Sequence, residues 1–368
     1  MKIGVLTSSR ADYGIYKPLL AKLAKDERFE LIIIVFGMHL QLHHGNTIEA
    51  IEKDDFGIID RVLGMPNKDT SLDIVKGYGQ LIIEFSEYWN TSNFDYVFAL
   101  GDRFEMSAAV QAGIPFGIKF AHIHGGETNL GAIDNIYRHQ ISLGSNLHFV
   151  ASEIFIKRVE NIIDSSKNIF NVGSLSLDGI KELKLPNWND VRREFNIPDK
   201  PFILVTFHPE TVGIEKNENF CKIIYETLEV VCRDLHVIIT LANADTMGSL
   251  YRDISRVLKR DNPKNISLID NFGKENYFAA MNASEMLLGN TSSGILEAAS
   301  FGKYVINVGE RQSGRLGSKN VINVPFNKDE IIKSIKKVVV DNNYQAENIY
   351  YKPNVANEII KILANDRL

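Results

Sequence analysis

Short apolar runs and amphipathic stretches alternate along almost the whole chain, and this rhythm limits the possible folds more than any other feature. In the first half, the apolar runs typical of strands cover residues 3–6, 31–36, 96–100, 116–122 and 147–150. Stretches with helical periodicity cover 15–24, 70–89 and 105–112. In the second half, further apolar runs cover residues 202–207, 237–241, 266–269, 286–288 and 304–308. Such alternation predicts parallel sheets with helices on both faces.

The length of 368 residues predicts two domains, because single cores stop growing at roughly 250–300 residues. The strand rhythm pauses in the polar stretch 173–200. We predict a Rossmann-like domain over 1–172, a second one over 173–345, and a segment 346–368 whose helix packs back on the first domain. The predicted fold class is α/β, with two doubly wound parallel sheets that face a cleft at the carboxyl ends of their strands.

Charge and hydropathy exclude several classes of partner. The net charge is -5, and Lys and Arg form no run longer than two residues, so no nucleic-acid partner is expected. A strand pattern begins directly after Lys2, and no apolar run approaches the roughly 20 residues that span a bilayer. We therefore expect no signal peptide, no membrane partner and a cytoplasmic location.

The segment 287–297 combines an apolar strand, a turn of small residues and the start of a helix. Backbone N–H groups and the positive end of the helix dipole favour phosphate at such a turn. Ser292 and Ser293 add hydroxyl donors beside Gly294, and Glu297 lies about one helical turn further on, where it could accept hydrogen bonds from ribose. The pattern predicts a nucleoside-diphosphate site. The alternative is a simple N-cap.

Three acidic residues of the first half form the candidate catalytic group. Asp102 and Glu127 lie just beyond apolar strands, and Asp134 follows in the next loop. Carboxylates brought together at one edge of a sheet shift each other's pKa and can divide acid and base work. The alternative is that Asp102 and Asp134 are helix N-caps and Glu127 is an ordinary loop acid.

Basic residues follow strands in both halves and could contact phosphate oxygens. Arg10 follows the first strand, and His208 follows the run 202–207. Arg311 and Arg315 follow the run 304–308. The arginines would supply a planar donor fork and the histidine a proton donor or a neutral partner. Alternatively, the arginines are surface or ion-pair residues.

Histidine and cysteine spacing does not predict a metal site. His39 and His43 have helical spacing, but Gly45 breaks any helix and no metalloprotease glutamate follows. Cys221 and Cys232 lie on one predicted helix about 16 Å apart and cannot bridge each other. His122 and His124 would point to opposite faces if the strand continued that far.

An ordered set of motifs runs from the first strand to about Arg315. The motifs are Ser9-Arg10-Ala11-Asp12-Tyr13-Gly14, Gly45-Asn46-Thr47, Leu100-Gly101-Asp102-Arg103, His122-Ile123-His124-Gly125-Gly126-Glu127, Ile133-Asp134 with Arg138-His139, His208-Pro209-Glu210-Thr211, Asn243-Ala244-Asp245, Gly289 to Gly294, and Arg311 to Arg315. Together they resemble the hydrolysing UDP-N-acetylglucosamine 2-epimerases of bacterial sialic-acid synthesis. The resemblance implies a fold of the glycosyltransferase-B type and no metal or redox cofactor.

The resemblance also implies the reaction. UDP is eliminated across C-1 and C-2 of UDP-N-acetylglucosamine, and water adds to the resulting enol ether to release N-acetylmannosamine. Proton transfer and leaving-group stabilisation are implied for Asp102, Glu127, Asp134, His124 and His208. Substrate binding is implied for Arg10, Asp12, Arg103, Arg138, Asn243, Asp245, Asn271, Ser292, Ser293, Gly294, Glu297, Arg311 and Arg315.

Some points stay open at this stage. Some members of the family carry a glutamate at the position of His124, so the acid and the base are not assigned among Asp102, His124, Glu127 and Asp134. Close relatives use UDP- or GDP-linked 2,4-diacetamido-2,4,6-trideoxyglucose. A glycosyltransferase, a non-hydrolysing epimerase and a non-catalytic nucleotide-sugar sensor are alternatives. The resemblance also implies a homodimer or a homotetramer.

Overall fold

A computed structural model of the chain describes residues 1–41, 47–64, 70–242, 247–341, 344–345 and 347–365. The chain divides into two compact units. The first comprises Met1–Glu127, Asp134–Gly179 and Tyr350–Leu368, and the second comprises Thr128–Ile133 and Ile180–Ile349. The chain therefore enters the second unit twice, the first time for only six residues.

The first unit is built on a parallel sheet. Its described strands are β1 (Lys2–Thr7), β2 (Glu30–Val35), β3 (Ile58–Arg61), β4 (Tyr96–Leu100), β5 (Phe120–Ile123), β6 (Leu147–Val150) and β7 (Ile169–Asn171), in the order β3-β2-β1-β4-β5-β6-β7. The helices that follow these strands are α1 (Arg10–Leu23), α2 (Ile48–Asp54), α3 (Ser71–Thr91), α4 (Phe104–Gly113), α5 (Asp134–Leu143) and α6 (Glu153–Ile163). Every pair of neighbouring strands is parallel.

The second unit repeats this architecture. Its described strands are β8 (Phe202–Thr206), β9 (His236–Thr240), β10 (Ile266–Ile269), β11 (Met286–Gly289), β12 (Val305–Val308) and β13 (Val321–Val324), in the order β10-β9-β8-β11-β12-β13. Its helices are α7 (Trp188–Glu194), α8 (Asn217–Val231), α9 (Gly248–Asp261), α10 (Lys274–Ala283), α11 (Ser292–Leu296) and α12 (Lys328–Asp341). The last helix of the chain, α13 (Val355–Asn365), belongs to the first unit.

These strand orders confirm the predicted fold class, α/β with two doubly wound parallel sheets. In each sheet the order reverses at one place, between β1 and β4 in the first unit and between β8 and β11 in the second. Ligands of open α/β sheets bind outside the carboxyl ends of the strands at such a reversal. Candidate site residues follow each of these four strands and also follow β5, the neighbour of β4. These residues therefore lie where ligands of such folds bind.

The apolar pattern located the central strands but missed three edge strands, β3, β7 and β13. The central strands are almost wholly buried, whereas Ile58 of β3 is 56% exposed and no residue of β7 is fully buried. An edge strand packs on fewer neighbours, so its sequence lacks a long apolar run. The predicted strand 116–122 also begins later, at Phe120, because Ile114–Phe116 form a 3-10 turn that ends at Gly117 with φ +66°.

Helix α13 completes the core of the first unit. Its Val355, Ile359 and Leu363 are fully buried in the same cluster as Ile3 and Leu20. The carboxylate of Asp178 accepts hydrogen bonds from the first two N–H groups of the helix, at 2.9 and 3.1 Å. A negative charge at that end also interacts favourably with the positive pole of the helix dipole. Within the described stretches, no helix combines the length and apolar character needed to cross a bilayer.

We expect Ile359→Ala to lower the free energy of unfolding by about 2–5 kcal/mol, because it opens a cavity in this core. The matched control is Ile136→Ala on α5, whose side chain is 60% exposed and should change stability by less than about 0.5 kcal/mol. Urea denaturation of both variants measures the difference. Equal stabilities would contradict the role of α13.

Candidate active site

The carboxyl ends of β4 and β5 bring the acidic residues of the first unit together. The two strands are parallel neighbours, with Leu100 beside Ile123. Asp102 follows β4 by two residues, and His124 follows β5 directly. Glu127 ends the short turn after His124. The structure therefore places these three sequence-predicted residues at one edge of one sheet.

Arg138 of α5 links these residues through its buried guanidinium group. Its Nη2 pairs with the carboxylate of Asp102, and its Nη1 donates to the carbonyl oxygen of His124 at 2.6 Å. The same Nη1 lies 4.0 Å from Oε2 of Glu127. The side chain is only 1% exposed, so its charge depends on these partners for compensation. Arg138 was also predicted to bind substrate, and that role stays a prediction; in the structure its guanidinium contacts the acids.

His124 and Glu127 form a buried pair. Nδ1 of His124 lies 2.6 Å from Oε1 of Glu127, and Glu127 has no exposed surface. His124 has φ +66°, a left-handed conformation that is uncommon for a side-chain-bearing residue. This turn directs its carbonyl oxygen to Arg138, while its N–H donates to Phe149 at 3.0 Å. A Cβ at Gly126, which has φ +77°, would lie 2.7 Å from a backbone oxygen, so the turn requires glycine there.

His122 ties the end of β4 to the network in its neutral form. Its Nε2 lies 2.8 Å from the carbonyl oxygen of Gly101, which can only accept, so Nε2 carries the hydrogen. Its Nδ1 therefore accepts from the hydroxyl of Ser142 at 3.0 Å. Burial lowers the pKa of His122 to about 3. The expected opposite facing of His122 and His124 does not apply, because β5 ends at Ile123.

The remaining candidates of the first unit lie at helix starts. Asp134 is the first residue of α5 and is half-buried, one helical turn before Arg138. Arg103 is the N-cap of α4, and its guanidinium pairs with the buried carboxylate of Glu105 at 2.8 Å. Arg10 is exposed at the start of α1. Asp134 and Arg138 thus lie on one face of α5, whereas Arg103 is held by α4.

Asp12 organises the turn after β1. Its carboxylate accepts hydrogen bonds from the hydroxyl of Thr7 at 2.7 Å, from the N–H and hydroxyl of Ser8, and from the N–H of Ser9. Burial acts to raise the pKa of Asp12, but the nearby His39 ring, whose Nε2 lies 3.8 Å from the carboxylate, and the donors of Thr7 and Ser8 outweigh it and hold the pKa below its ordinary value. A role of Asp12 in substrate binding stays a prediction.

His39 belongs to this polar cluster. Its ring nitrogens lie 3.0 Å from the hydroxyl of Thr7 and 2.6 Å from that of Thr47. His43 and His44 lie outside the described residues. Among the residues that the structure describes, no three or more His, Cys, Asp or Glu side chains gather in a way that could hold a metal ion.

In the second unit, the turn at 289–294 has the predicted strand, turn and helix. Gly289 ends β11 with φ +142°, and a Cβ there would lie 1.8 Å from the carbonyl oxygen of Thr206 on the next strand. Thr291 caps α11 by accepting from the N–H of Ser293 at 3.4 Å. Ser292 is exposed. The N-cap is therefore present, and it leaves a hydroxyl-bearing turn at the switch point of the sheet.

The flanks of this turn are buried. A Cβ at Gly294 would lie 2.9 Å from the side chain of Val305, so the helix packs closely on β12. Glu297 is buried at the C-cap of α11. Burial, together with the negative charge of Glu297, raises the pKa of Tyr277 to about 12, against the lowering effect of the hydroxyls of Ser293 and Thr206. Sequence reasoning missed Tyr277, because a tyrosine inside a helix gives no motif signal.

Asn290 fixes His208 beside the turn. Its side-chain oxygen accepts from the N–H of His208 at 2.7 Å, and its side-chain nitrogen donates to the carbonyl oxygen of the same residue at 2.9 Å. Gln312 donates to the backbone oxygen of Asn290 at 2.8 Å, and Arg315 donates to the side-chain oxygen of Gln312 at 2.8 Å. Asn290 is 1% exposed. This amide network joins the loops after β8, β11 and β12.

Glu210 and Arg311 hold the loops after β8 and β12 together. Arg311 donates to the carbonyl oxygen of Pro209 at 2.6 Å, and the carboxylate of Glu210 accepts from the N–H of Glu310 at 2.6 Å. Burial outweighs the backbone N–H donors of Glu310 and Arg311 and raises the pKa of Glu210. The side chain of Asn217 binds both backbone polar groups of Glu210. Sequence reasoning missed the structural roles of Asn217, Glu210, Asn290 and Gln312.

Three predicted contacts lie apart from this network or outside the described residues. Asn271 is exposed and accepts from the N–H of Gly273 at 3.0 Å, which forms the turn before α10. Asn243 and Asp245 are outside the described residues.

We expect the stability of the protein to fall as pH drops below 6.5. The unfolded state takes up a proton on His122 near pH 6.5, whereas burial keeps the folded state neutral to about pH 3. Protonation of His122 in the unfolded state therefore lowers the free energy of unfolding by about 2 kcal/mol between pH 7 and pH 5. His122→Gln, which keeps a donor for Gly101, should remove that share from urea denaturation curves. An unchanged pH slope would contradict the assignment.

Comparison with known proteins identifies the family. The sequence model of the UDP-N-acetylglucosamine 2-epimerase family matches residues 21–364. The hydrolysing UDP-N,N'-diacetylbacillosamine 2-epimerase of Legionella pneumophila is 34% identical over 95% of this chain and 92% of its own. The hydrolysing GDP/UDP-N,N'-diacetylbacillosamine 2-epimerase of Campylobacter jejuni is 33% identical over 89% and 85%.

The fold is also shared with solved structures. The UDP-GlcNAc 2-epimerase of Neisseria meningitidis, in a crystal structure with UDP-GlcNAc bound, has a TM-score of 0.82 at 18% identity and covers 99% of this chain and 100% of its own. The motifs, the two doubly wound sheets and the family match agree with one another. The chain belongs to the UDP-N-acetylglucosamine 2-epimerase family.

Proposed function

We propose that the protein is a hydrolysing 2-epimerase of UDP-linked 2-acetamido sugars. The observation that carries this proposal is the set of acidic residues gathered around Arg138 at the ends of β4 and β5. Hydroxyl and cationic groups at the switch point of the second sheet support a second, diphosphate-binding part. Both parts consist of residues that match motifs of the family.

The chemistry requires carboxylates near the sugar. The C-2 proton is weakly acidic and can leave only as the bond from C-1 to the UDP oxygen breaks. A carboxylate takes the proton, the electrons of the C–H bond form the C-1 to C-2 double bond, and the bonding pair leaves with UDP. Water then adds at C-1, and a proton returns to C-2 on the opposite face. Positive charge that develops on the sugar is stabilised by the same carboxylates.

Asp102 and Asp134 are the proposed proton-transfer groups. Asp102 keeps 22% of its side-chain surface exposed while Arg138 fixes its carboxylate, and Asp134 is half-buried. An acid that is both accessible and held in one orientation suits proton transfer, because positioning supplies much of the rate. His208, whose backbone is clamped by Asn290, is proposed to offset charge on the departing diphosphate.

The diphosphate is proposed to bind at the turn 289–294 of the second unit. The residues of this unit proposed for it are Ser292, Ser293, Gly294, Arg311 and Arg315, with Glu297 for ribose; Arg10 of the first unit is proposed as a phosphate contact from its family motif alone. Arg315 is partly buried and oriented by Gln312 at 2.8 Å, which supports a charge-assisted contact. Binding energy from the nucleotide can be used to orient the attached sugar for reaction.

The sugar is proposed to be N,N'-diacetylbacillosamine, with N-acetylglucosamine as the second candidate. Both relatives at 33% and 34% identity are named for the diacetylated sugar, one with UDP and the other with UDP or GDP. The reaction would then release 2,4-diacetamido-2,4,6-trideoxymannose and the nucleoside diphosphate. Turnover should be compared on UDP- and GDP-N,N'-diacetylbacillosamine and on UDP-N-acetylglucosamine.

The protein is also proposed to form a homodimer or a homotetramer, as the family resemblance implies. Helix α3 presents Leu72, Val75 and Ile83 at the surface, with 63%, 66% and 58% of each residue exposed. Apolar residues in one stretch of helix favour contact with another chain.

The isotope pattern of the product tests the reaction. In heavy water, the released sugar should carry deuterium at C-2, and in ¹⁸O-labelled water it should carry the label at the anomeric position. Both follow from elimination and water addition, and mass spectrometry with NMR locates them. A product that stays attached to the nucleotide would indicate a non-hydrolysing epimerase, and absence of both labels would exclude the proposed route.

Two substitutions should separate sugar chemistry from nucleotide binding. We expect Asp102→Asn to lower kcat by at least about 10³-fold with UDP affinity nearly unchanged, because the carboxylate acts on the sugar. Arg315→Ala should weaken UDP binding by about 10- to 150-fold, the loss expected for a charge-assisted contact of ~1.5–3 kcal/mol. Kinetics and calorimetry with UDP measure both. Full activity of Asp102→Asn would remove Asp102 from the mechanism.

A further inference from the structure

Glu127 and His124 are buried far more completely than Asp102. Glu127 has no exposed surface and His124 is 4% exposed, whereas the side chain of Asp102 is 22% exposed. The family resemblance implied proton transfer or leaving-group stabilisation for all three. Their burial separates them into one accessible acid, Asp102, and one buried pair, His124 and Glu127.

Both ring nitrogens of His124 already have partners. Nδ1 lies 2.6 Å from Oε1 of Glu127, and Nε2 lies 3.3 Å from the hydroxyl of Ser174. When Glu127 is ionised it can only accept, so Nδ1 carries the hydrogen and Nε2 of the neutral ring accepts from Ser174. A proton donor or acceptor for the sugar would have to leave one of these contacts.

Ser174 is itself fixed by its surroundings. It has no exposed surface, and its N–H donates to the carbonyl oxygen of Tyr350 at 2.9 Å. Its hydroxyl lies 3.0 Å from that of Ser176. When Ser174 donates to His124, Ser176 donates to Ser174, so the hydrogen bonds run in one direction from Ser176 to Glu127. No motif of the family resemblance includes Ser174 or Ser176.

Arg138 connects this chain of hydrogen bonds to Asp102. Its Nη1 contacts the carbonyl oxygen of His124 at 2.6 Å and lies 4.0 Å from Glu127, while its Nη2 holds Asp102. The buried pair therefore fixes one side of the guanidinium, and Asp102 is bound to the other. A rotation of Glu127 or of the His124 peptide would move the group that orients Asp102.

We propose that His124, Glu127 and Ser174 are positioning residues that act on the sugar through Arg138 and Asp102, and that none of the three touches the sugar. This inference rests on the proposed epimerase function. It assigns to Ser174 the task of selecting the ring tautomer in which His124 donates to Glu127. His124→Asn keeps an N–H donor near the position of Nδ1, whereas His124→Leu keeps only bulk.

The kinetic test compares these variants with Asp102→Asn. His124→Asn should keep kcat within about 10-fold of wild type, whereas His124→Leu should lower kcat about 100-fold. KM should stay within about two-fold of wild type in both variants. The difference is expected because the N–H donor at residue 124 is the group that positions the acids. Ser174→Ala should lower kcat about 5- to 10-fold. Three outcomes would overturn the proposal. They are equal losses of kcat in His124→Asn and His124→Leu, a loss of kcat in His124→Asn as large as that in Asp102→Asn, and wild-type kcat in His124→Leu.

The second unit offers a matched control. Nε2 of His236 lies 2.9 Å from the hydroxyl of Ser267, and both residues are buried, but this pair lies on β9 and β10 away from the proposed site. Ser267→Ala removes the same kind of bond and should leave kcat and KM unchanged. If it lowered kcat as much as Ser174→Ala, the effect would be general loss of stability and the proposal would fail.

A measurement without turnover separates this inference from the proposed function. NMR of protein with ¹⁵N-labelled histidine reports which ring nitrogen carries the hydrogen, and the signal of His124 is the one that is missing in His124→Asn. In the wild type this signal should show hydrogen on Nδ1. The preference for Nδ1 should weaken in Ser174→Ala. Hydrogen on Nε2 in the wild type would overturn the positioning scheme even if the enzyme is active. Wild-type inactivity on every sugar, with the Nδ1 tautomer present, would instead refute the epimerase function.

Discussion

One buried guanidinium group orders the acidic residues of the first unit. Asp102 and Glu127 come from loops after different strands, and their carboxylates would repel each other without a cation nearby. Arg138 is 1% exposed and contacts Asp102 and the His124 carbonyl directly, with Glu127 at 4.0 Å. A buried charge of this kind is costly unless it is compensated, so the partners on β4, β5 and α5 constrain one another.

The second unit organises its loops mainly with neutral groups. The side chain of Asn290 binds both backbone polar groups of His208, and Gln312 extends the network to Arg315. Buried amides with all partners present fix loop geometry without adding charge. The contrast suits the proposed division of work, in which carboxylates handle protons and the turn at 289–294 binds a diphosphate.

The sequence predicted the parts of the fold that have strong local patterns. Central strands such as β1 and β8 are long apolar runs, whereas β3, β7 and β13 are short and partly exposed and gave no such run. The same limit applied to the site. Asp102 and Glu127 stood out because they follow strands, but Asn290, Gln312 and Ser174 are polar residues whose importance depends on partners distant in sequence.

By itself, the sequence determined the βα alternation, the doubly wound class, the family resemblance and which loops carry acids and phosphate-type turns, because each of these is written in neighbouring residues. Only the tertiary structure decided that Arg138 binds the acids, that His124 is engaged at both nitrogens, and that Asp102 stays accessible while Glu127 does not. Those properties depend on which side chains meet after the strands pair and on how much water reaches them, and neither is encoded by local spacing.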